Sequence, residues 1–483
     1  MSKTHENTPT SHVRLGYARR DVTPPVGIYH RMWGAARHDR ATGIHRPILA
    51  DILVFEPLNG DADQRLVRMQ FDFVGLTNEQ QNPIRIALAE RASVQVDRLI
   101  VTYSHSHASG FLHPDRKDMP GGDLIEPYLE SLTETLEKAL DEALQNLAPV
   151  SISYATGRCN MAANRDYRDE ARDIYVTGYN PEAPADDIVV AARVTDEHGA
   201  HHLSFVHYAC HPTTLAWENT VLSPDFVGAT REVVEHATAC PCVYFQGPCG
   251  ELGPKDGFTG DLATADRNGR QLGYAAMSAL SSLGPPDTDY VYEGPVVSGA
   301  TLGIWRHHPM SDDRRRHAGT YHEAAFDVDL KLKDLPALEQ LQSDLERYSE
   351  EQKQADQAGD AERARDLGAR AERCRRWQGR VENLPQTEQF ALRCTVWRMG
   401  DAIWVTCGGE PYNQLQTKLR ERFPDLILLV SPLSTDCLSI AYLLPEDRYG
   451  IGLYQEEPSS LAPGCLEVLI ENFAEQIGCA LEA

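Results

Sequence analysis

Two histidine segments stand directly after runs of strand-forming residues, and they are the first candidates for chemistry. Ser104-His105-Ser106-His107 follows the run 99–103, and Cys210-His211-Pro212 follows the run 203–208. In an extended chain, alternate side chains such as those of His105 and His107 project from the same face. A single histidine is more often structural, but neutral imidazole is also a common zinc ligand. The placement therefore indicates His105 and His211 as metal ligands, with His107 beside the first.

Two glycine-rich turns add a carboxylate and a candidate substrate cradle. Gly408-Gly409-Glu410-Pro411 follows the run 403–405, and a turn containing Gly250, Glu251 and Gly253 lies after the run 243–245. Two imidazoles and a carboxylate form a common catalytic zinc set that leaves positions open for water or substrate, so Glu410 is the third candidate ligand. Backbone amides of the turn that spans 250–253 can stabilise an oxyanion.

A further acid, Asp72, follows the strand-forming run 66–71. It has two interpretations: a carboxylate that orients a zinc-bound histidine, or a plain turn residue. The sequence contains no GxSxG, HExxH, Walker or GxGxxG motif. Hydrolases and nucleotide-binding proteins that depend on those motifs are therefore disfavoured.

The strand-forming runs alternate with helical patterns, which predicts an α/β fold with mixed sheets and surrounding helices. No low-complexity linker divides the chain, so residues 1–483 are predicted to form a single catalytic domain. The predicted strands are 52–55, 66–71, 99–103, 150–154, 188–192, 203–208, 243–245, 403–405 and 426–430. The predicted helices are 82–92, 125–145, 226–237, 262–279 and 413–422.

A separate helical segment interrupts this alternation at residues 334–383. Apolar residues recur at helical spacing on both sides of Gly359, which predicts an antiparallel helical hairpin inserted in the α/β body. Such a hairpin serves either as a structural or dimerising arm, through which a homo-oligomer can form, or as a lid over the active site.

Composition and charge exclude several partners. The formal net charge of −25 repels phosphate backbones and anionic headgroups, which argues against nucleic acid and membrane surfaces. No apolar run approaches the roughly 20 residues that a membrane helix needs, so no membrane insertion is predicted. The first 13 residues are polar and lack the pattern of a secretory signal, which predicts a cytoplasmic protein.

The order of these motifs resembles the catalytic N-terminal domain of the neutral/alkaline non-lysosomal ceramidase family, of which the chain would be a divergent member. The resemblance is carried by Asp21-Val22-Thr23-Pro24-Pro25, Thr42-Gly43-Ile44-His45, His105-Ser106-His107-Ala108-Ser109-Gly110, His211-Pro212-Thr213, Asn164-Arg165, Gly409-Glu410 and two tyrosines twelve residues apart, Tyr442 and Tyr454. Each motif is weak alone, but together they span nearly the whole chain in the family's order.

The resemblance implies roles for individual residues. His105, His211, Glu410 and Tyr442 would bind Zn²⁺, and His107 would assist beside the metal. Arg165 would face the substrate carbonyl, and Tyr454 would be a catalytic tyrosine.

Two departures from the family pattern bear on the substrate. Gly253 stands where the family has a serine beside the metal, and the chain ends at Ala483 without the family's immunoglobulin-like domain. The sequence therefore predicts a zinc-dependent hydrolase of a linear N-acyl amide, acting through metal-activated water on a small or lipid-like compound other than ceramide. The alternatives are a ceramidase proper, a lactone or ester hydrolase, and a non-catalytic zinc-stabilised binding protein.

Overall fold

The computed structural model describes residues 4–60, 62–435 and 437–483. The strands are β1 (His5–Glu6), β2 (Thr10–Asp21), β3 (Gly43–Ile44), β4 (Leu49–Pro57), β5 (Leu66–Phe71), β6 (Leu99–Tyr103), β7 (Ala148–Arg158), β8 (Ala162–Asn164), β9 (Asp166–Asp169), β10 (Ile174–Thr177), β11 (Ile188–Thr195), β12 (His201–Tyr208), β13 (Val221–Leu222), β14 (Cys242–Gln246), β15 (Leu252–Pro254), β16 (Thr288–Ser298), β17 (Ala300–Pro309), β18 (Tyr321–Lys331), β19 (Gln389–Met399), β20 (Ala402–Cys407), β21 (Glu410–Pro411), β22 (Ile427–Ser431) and β23 (Tyr442–Leu443). The helices are α1 (Asn78–Ala92), α2 (Ile125–Gln145), α3 (Phe226–Thr238), α4 (Leu262–Ser281), α5 (Asp312–Ala318), α6 (Leu338–Gln357), α7 (Ala361–Asn383), α8 (Gln414–Arg422), α9 (Cys437–Ile440) and α10 (Cys465–Glu482).

Two mixed sheets form the centre of the molecule. The larger has the strand order β14-β12-β11-β7-β2-β4-β5-β6, and the smaller has the order β18-β19-β20-β22. The pairs β12–β14, β5–β6 and β20–β22 are parallel, and the other neighbours in these sheets are antiparallel. The predicted mixed α/β class is thereby confirmed.

Helices cover the outer faces of both sheets. A buried apolar cluster between the sheets includes Phe55 and Phe245 from the larger sheet and Trp397 and Trp404 from the smaller one. On the opposite face of the larger sheet, α1 and α2 pack against one half and α3 and α4 against the other. Helices α8 and α10 cover the smaller sheet. The two apolar faces of each sheet explain why its central strands read as continuous apolar runs.

The predicted strands and helices are present, but some bounds and several strands were not predicted. Helix α1 begins at Asn78 rather than residue 82, because Thr77 and Gln80 form a capping box that adds a first turn. Strand β2 was missed because charged side chains interrupt its apolar pattern; Arg19, for example, is balanced by Asp51 at 2.6 Å. Strands β16 and β17 were missed because most of their side chains are exposed. His307 and His308 lie on β17 and are exposed.

The inserted hairpin is present as α6 and α7. The side chains of Gln378, near the end of α7, and Gln342, near the start of α6, are hydrogen bonded at 2.8 Å, so the two helices run antiparallel. Gly359, in the turn between them, has a φ of 74°, which favours glycine. None of the described helices combines the length and apolar character that a membrane span requires.

Candidate metal and active site

The two predicted histidine ligands meet where strands from separate parts of the larger sheet end. His105 follows β6, and its amide donates to Phe73 O at 3.0 Å in the segment after β5. His211 follows β12, and its amide donates to Leu252 O at 3.1 Å. The imidazole centroids of His105 and His211 are 4.8 Å apart, and both side chains are buried. Each histidine lies just after the carboxyl end of a strand that belongs to a parallel pair. The loops that follow these strands bring the two rings together, and such loops commonly form the sites of α/β proteins.

Backbone carbonyls fix the tautomer of both rings. The Nδ1 atom of His105 lies 2.5 Å from Val74 O, and that of His211 lies 2.9 Å from Cys249 O. A carbonyl only accepts, so each Nδ1 carries a proton and each Nε2 presents a lone pair. Burial lowers the pKa of His211 to about 4, with Arg165 acting in the same direction, so this imidazole is neutral at neutral pH. Neutral rings with a free Nε2 are the form that binds metals.

Glu410 faces both free nitrogens. Its Oε2 lies 3.4 Å from His105 Nε2 and 3.4 Å from His211 Nε2. Burial alone would raise the pKa of Glu410, but the two histidines hold it well below its ordinary value. The preceding Gly409 has a φ of 77°, and a Cβ there would lie 2.6 Å from Leu443 Cδ1. Glycine at this position therefore allows the close turn that aims the carboxylate inward.

Tyr442 stands beside Glu410 through a short parallel pairing. Strand β21 pairs with β23 so that Glu410 is the register partner of Tyr442. The Tyr442 ring lies 6.3 Å from the His211 ring, and its hydroxyl accepts a hydrogen bond from Arg165 Nη2 at 3.1 Å. Burial, with Glu410 next, raises the pKa of Tyr442 well above its ordinary value. The four predicted ligands are thus neighbours in the structure.

A metal ion fits this donor set. His211 Nε2, His107 Nε2 and Glu410 Oε2 are buried atoms without a hydrogen-bond partner among the described residues. Buried polar atoms normally have partners, and three such orphans facing one another are typical of a site that holds a cation. The ligand nitrogens of His105, His107 and His211 lie within 4.8 Å of one another, so His107 is also placed to act as a ligand.

Arg165 connects the cluster to the glycine-rich turn. Its Nε and Nη2 donate to Gly250 O at 3.2 and 2.7 Å, and Nη2 also donates to the Tyr442 hydroxyl. The guanidinium is therefore held rigidly beside the predicted ligands. Its predicted contact with a substrate carbonyl stays a prediction.

In the turn that spans 250–253, the backbone amides of Gly250 and Leu252 are already hydrogen bonded to carbonyls of the protein. The Gly250 amide donates to Pro411 O at 3.0 Å, so this donor is already engaged. The Glu251 carboxylate accepts from the Asn413 amide at 2.8 Å, and burial raises its pKa to about 8. At Gly253 an added Cβ would lie 3.6 Å from Arg165 Cδ and from Thr213 Oγ1, which is an ordinary contact distance. The site therefore has room for the serine that this chain lacks.

Asp72 lies away from the histidine-orienting position. Its carboxylate forms an ion pair with Arg231, with Oδ1 to Nη1 at 2.9 Å, and accepts from the Leu49 amide at 3.0 Å. Of its two interpretations, the histidine-orienting one has no contact to support it, because the Nδ1 atoms of His105 and His211 are bonded to the carbonyls of Val74 and Cys249. Its contacts therefore join β4, β5 and α3 rather than the metal cluster.

Tyr454 lies at the open side of the site. Its side chain is 48% exposed, and its ring centroid is 6.0 Å from that of Tyr442. By contrast, Tyr449 donates to Leu461 O at 3.3 Å, at a different position. Of the two, Tyr454 is the tyrosine whose ring contacts the candidate ligand Tyr442.

Two residues near the site were not found from the sequence. Trp33 lies in the loop after β2, 5.2 Å from the His107 ring, and contacts Phe258 at 5.8 Å. Arg380 lies in the last turn of α7; burial lowers its pKa, and the nearby charges of Tyr454 and Glu410 act against that shift. Neither has a local motif, because each reaches the site only through the packing of distant segments.

The fold and the cluster define the protein as an α/β protein with a buried imidazole and carboxylate site of the metal-binding kind. Residues 13–243 match the family described as neutral/alkaline non-lysosomal ceramidase, N-terminal. The predicted resemblance to this family is thereby confirmed over residues 13–243.

Solved structures share the fold at low sequence identity. A structure described as "Ceramidase complexed with C2" is 14% identical, with a TM-score of 0.63 over 99% of this chain and 76% of the other. The neutral ceramidase from Pseudomonas aeruginosa is 14% identical, with a TM-score of 0.62 over 97% of this chain and 74% of the other. No curated protein sequence matches the chain.

Proposed function

We propose that the protein is a zinc-dependent hydrolase of linear N-acyl amides, related to ceramidases but acting on a substrate other than ceramide. The observation that carries the proposal is the buried cluster in which the Nε2 atoms of His105 and His211 converge on Glu410 Oε2 at 3.4 Å. Two imidazoles, a carboxylate and a tyrosine oxygen are a donor set that suits zinc. The match of residues 13–243 to the neutral/alkaline ceramidase family supports amide hydrolysis as the reaction.

In this proposal His105, His211, Glu410 and Tyr442 hold the ion, which when bound polarises a carbonyl and activates water. The fixed tautomers of the two histidines keep their Nε2 lone pairs available. Arg165, oriented by Gly250 O, stabilises negative charge that develops on the substrate oxygen.

Proton transfer falls to two residues beside the cluster. Burial, with His105 next, lowers the pKa of His107 far below its ordinary value, so its ring is neutral, and we propose that it assists proton transfer to the leaving amine. The exposed Tyr454 hydroxyl is the proposed donor to the leaving amine. Burial raises the pKa of Cys249 far above its ordinary value, so this thiol stays protonated. Direct attack by water is therefore proposed, rather than a covalent acyl-enzyme.

The substrate proposal rests on Gly253 and on the surroundings of the site. Without the family's serine, one polar contact beside the metal is missing. At the end of α7, Arg380 lies close enough to Tyr454 and Glu410 for their charges to affect its pKa, and a cation there suits ceramide less well than apolar surroundings would. A small or lipid-like N-acyl compound is the proposed substrate class, while the cytoplasmic location and a homo-oligomer stay predictions.

The test is a panel of substrates in which the length of the acyl chain and the type of scissile bond are varied separately. Short-chain N-acyl amines, long-chain ceramide, and the matching esters and lactones are compared by product release, before and after chelation and zinc restoration. We expect zinc-dependent cleavage of short N-acyl amides at a kcat/KM above that of ceramide. Activity that rises steadily to ceramide, or that is confined to esters and lactones, would contradict the proposal in favour of those alternatives.

A further inference from the structure

The second helix of the inserted hairpin is fixed against the wall of the site. Arg116, which is 1% exposed, donates to Glu372 with Nη1 to Oε2 at 2.8 Å and Nη2 to Oε1 at 2.6 Å. Further along α7, Arg376 Nη2 donates to Met32 O at 2.6 Å, and Trp377 Nε1 donates to Glu457 Oε1 at 2.9 Å. The last turns of α7 therefore lie between the loop that carries Trp33 and the segment that follows Tyr454.

Arg380 stands at this end of α7, one turn after Trp377. Its guanidinium lies 5.4 Å from the centroid of the Trp377 ring. Its Nε is buried and has no hydrogen-bond partner in the described part of the chain. Burial lowers the pKa of Arg380, with Arg376 acting in the same direction, while Tyr454, Glu457 and Glu410 act against that shift. Arg380 is thus a half-buried cation whose Nε has no partner among the described residues, at the end of the helix that lies beside the segment following Tyr454.

The neighbouring cations are satisfied by the protein itself. Arg376 donates to Glu372 Oε1 at 2.8 Å as well as to Met32 O. Lys333 Nζ donates to the carbonyls of Glu456 and Glu457 at 2.9 and 3.1 Å. Glu457, one of the acids acting on Arg380, is already engaged by Trp377 Nε1 and lies 3.4 Å from Arg373 Nε.

A buried guanidinium donor without a partner is costly, and a ligand with an anionic group removes that cost. Guanidinium is also the side chain best shaped to bind a carboxylate in two-point fashion. The stacking ring of Trp377 limits the orientations that the guanidinium can take. The position therefore has the chemistry of an anion subsite rather than of a structural ion pair.

We infer that Arg380 binds an anionic group of the substrate, so that the substrates are N-acyl compounds bearing a carboxylate. This inference rests on the proposed hydrolase function and narrows its substrate class. The carboxylate can belong to the amine portion, as in an N-acyl amino acid, or to the far end of the acyl chain. In either case Arg380 is a specificity-determining residue and the hairpin supplies part of the binding site.

The experiment uses two matched pairs: N-hexanoylglycine with N-hexanoylglycinamide, and the mono-N-ethylamide of adipic acid with its methyl ester. For the full-length zinc-loaded protein, kcat/KM should favour the carboxylate member of one pair by roughly 10- to 100-fold, the strength of a charged hydrogen bond. Arg380→Met should bring that ratio close to one, and Arg380→Lys should retain part of it. Arg363→Met, an exposed change on the same helix, should leave it unchanged.

The outcomes separate this inference from the hydrolase proposal. Calorimetric binding of the same four compounds is measured for each variant, so the inference is tested even if no amide is cleaved. Tighter binding of a carboxylate that Arg380→Met abolishes supports the subsite, and the pair affected identifies the side on which the anion lies. Equal handling of both members by the wild type, or an unchanged preference in a folded Arg380→Met protein, overturns it.

Discussion

Tyr442 shows how one side chain joins the candidate ligands to the groups around them. Its hydroxyl accepts from Arg165 at 3.1 Å, its ring lies beside His211, and its strand is in register with Glu410. The same residue was indicated by its twelve-residue spacing from Tyr454. A single oxygen atom therefore connects the predicted metal set with the predicted oxyanion partner.

Tyr442→Phe removes that oxygen while keeping the ring, so metal retention or kcat/KM should fall by roughly 10- to 100-fold, the usual effect of losing a group that orients a metal site. Tyr449→Phe is the matched control, because Tyr449 donates to Leu461 O away from the cluster and should behave like the wild type. Zinc content and amide turnover of the two variants are compared. Equal losses in both would remove Tyr442 from the site.

The residues that the sequence indicated, and those that it missed, differ in how they reach the site. His105, His211 and Glu410 each follow a strand directly, so a strand-end pattern places them in one region. His107 was indicated as a helper, and only the distances between nitrogens show that it is also placed as a ligand. Trp33 and Arg380 depend on long-range packing between loop, body and hairpin, which no local pattern encodes.

At the scale of elements, the hairpin is the feature whose role the sequence left open. Its amphipathic pattern was compatible with a dimerising arm or a lid. In the structure α7 makes fixed polar contacts with the body through Glu372, Arg376 and Trp377. These contacts hold α7 against the body of the protein, beside the candidate site. The sequence pattern could not distinguish an arm from a lid, because an apolar face on a helix does not show which surface it packs against.

Glu372→Gln should loosen the docking of α7. Burial alone would raise the pKa of Glu372, but Arg376 and Arg116 hold it far below its ordinary value. A carboxyl with a lowered folded pKa contributes stability above its unfolded pKa and loses it as pH falls. At neutral pH, removing one partner of such a pair costs about 3 to 5 kcal/mol.

Hydrogen exchange and limited proteolysis across residues 338–383 measure this loss at a series of pH values. The difference from the wild type should be full at pH 7 and should shrink as pH falls below the ordinary carboxyl range. Glu362→Gln, on the same helix with its carboxylate 84% exposed, should have little effect. Protection that is equal in wild type and Glu372→Gln at pH 7 would show that the ion pair does not hold the hairpin.

At the scale of the whole molecule, two sheets and their helix layers converge on one buried cluster. The class of fold followed from alternating strand and helix patterns, because both sheets are buried on two faces. Strands β16 and β17 could not be predicted this way, since their exposed side chains give no apolar alternation. The pairing of β20 with β22 and of β21 with β23 was likewise outside the reach of local patterns.

The measurement that tests the central claim most directly is the zinc content of the purified chain. We expect about one zinc per chain in the wild type, as for a single catalytic site. His211→Ala removes an imidazole whose Nε2 faces Glu410, and should lose most of the metal together with amide turnover. His308→Ala, on the exposed strand β17, should keep both. Equal zinc in all three proteins, or none in the wild type after zinc loading, would contradict the account.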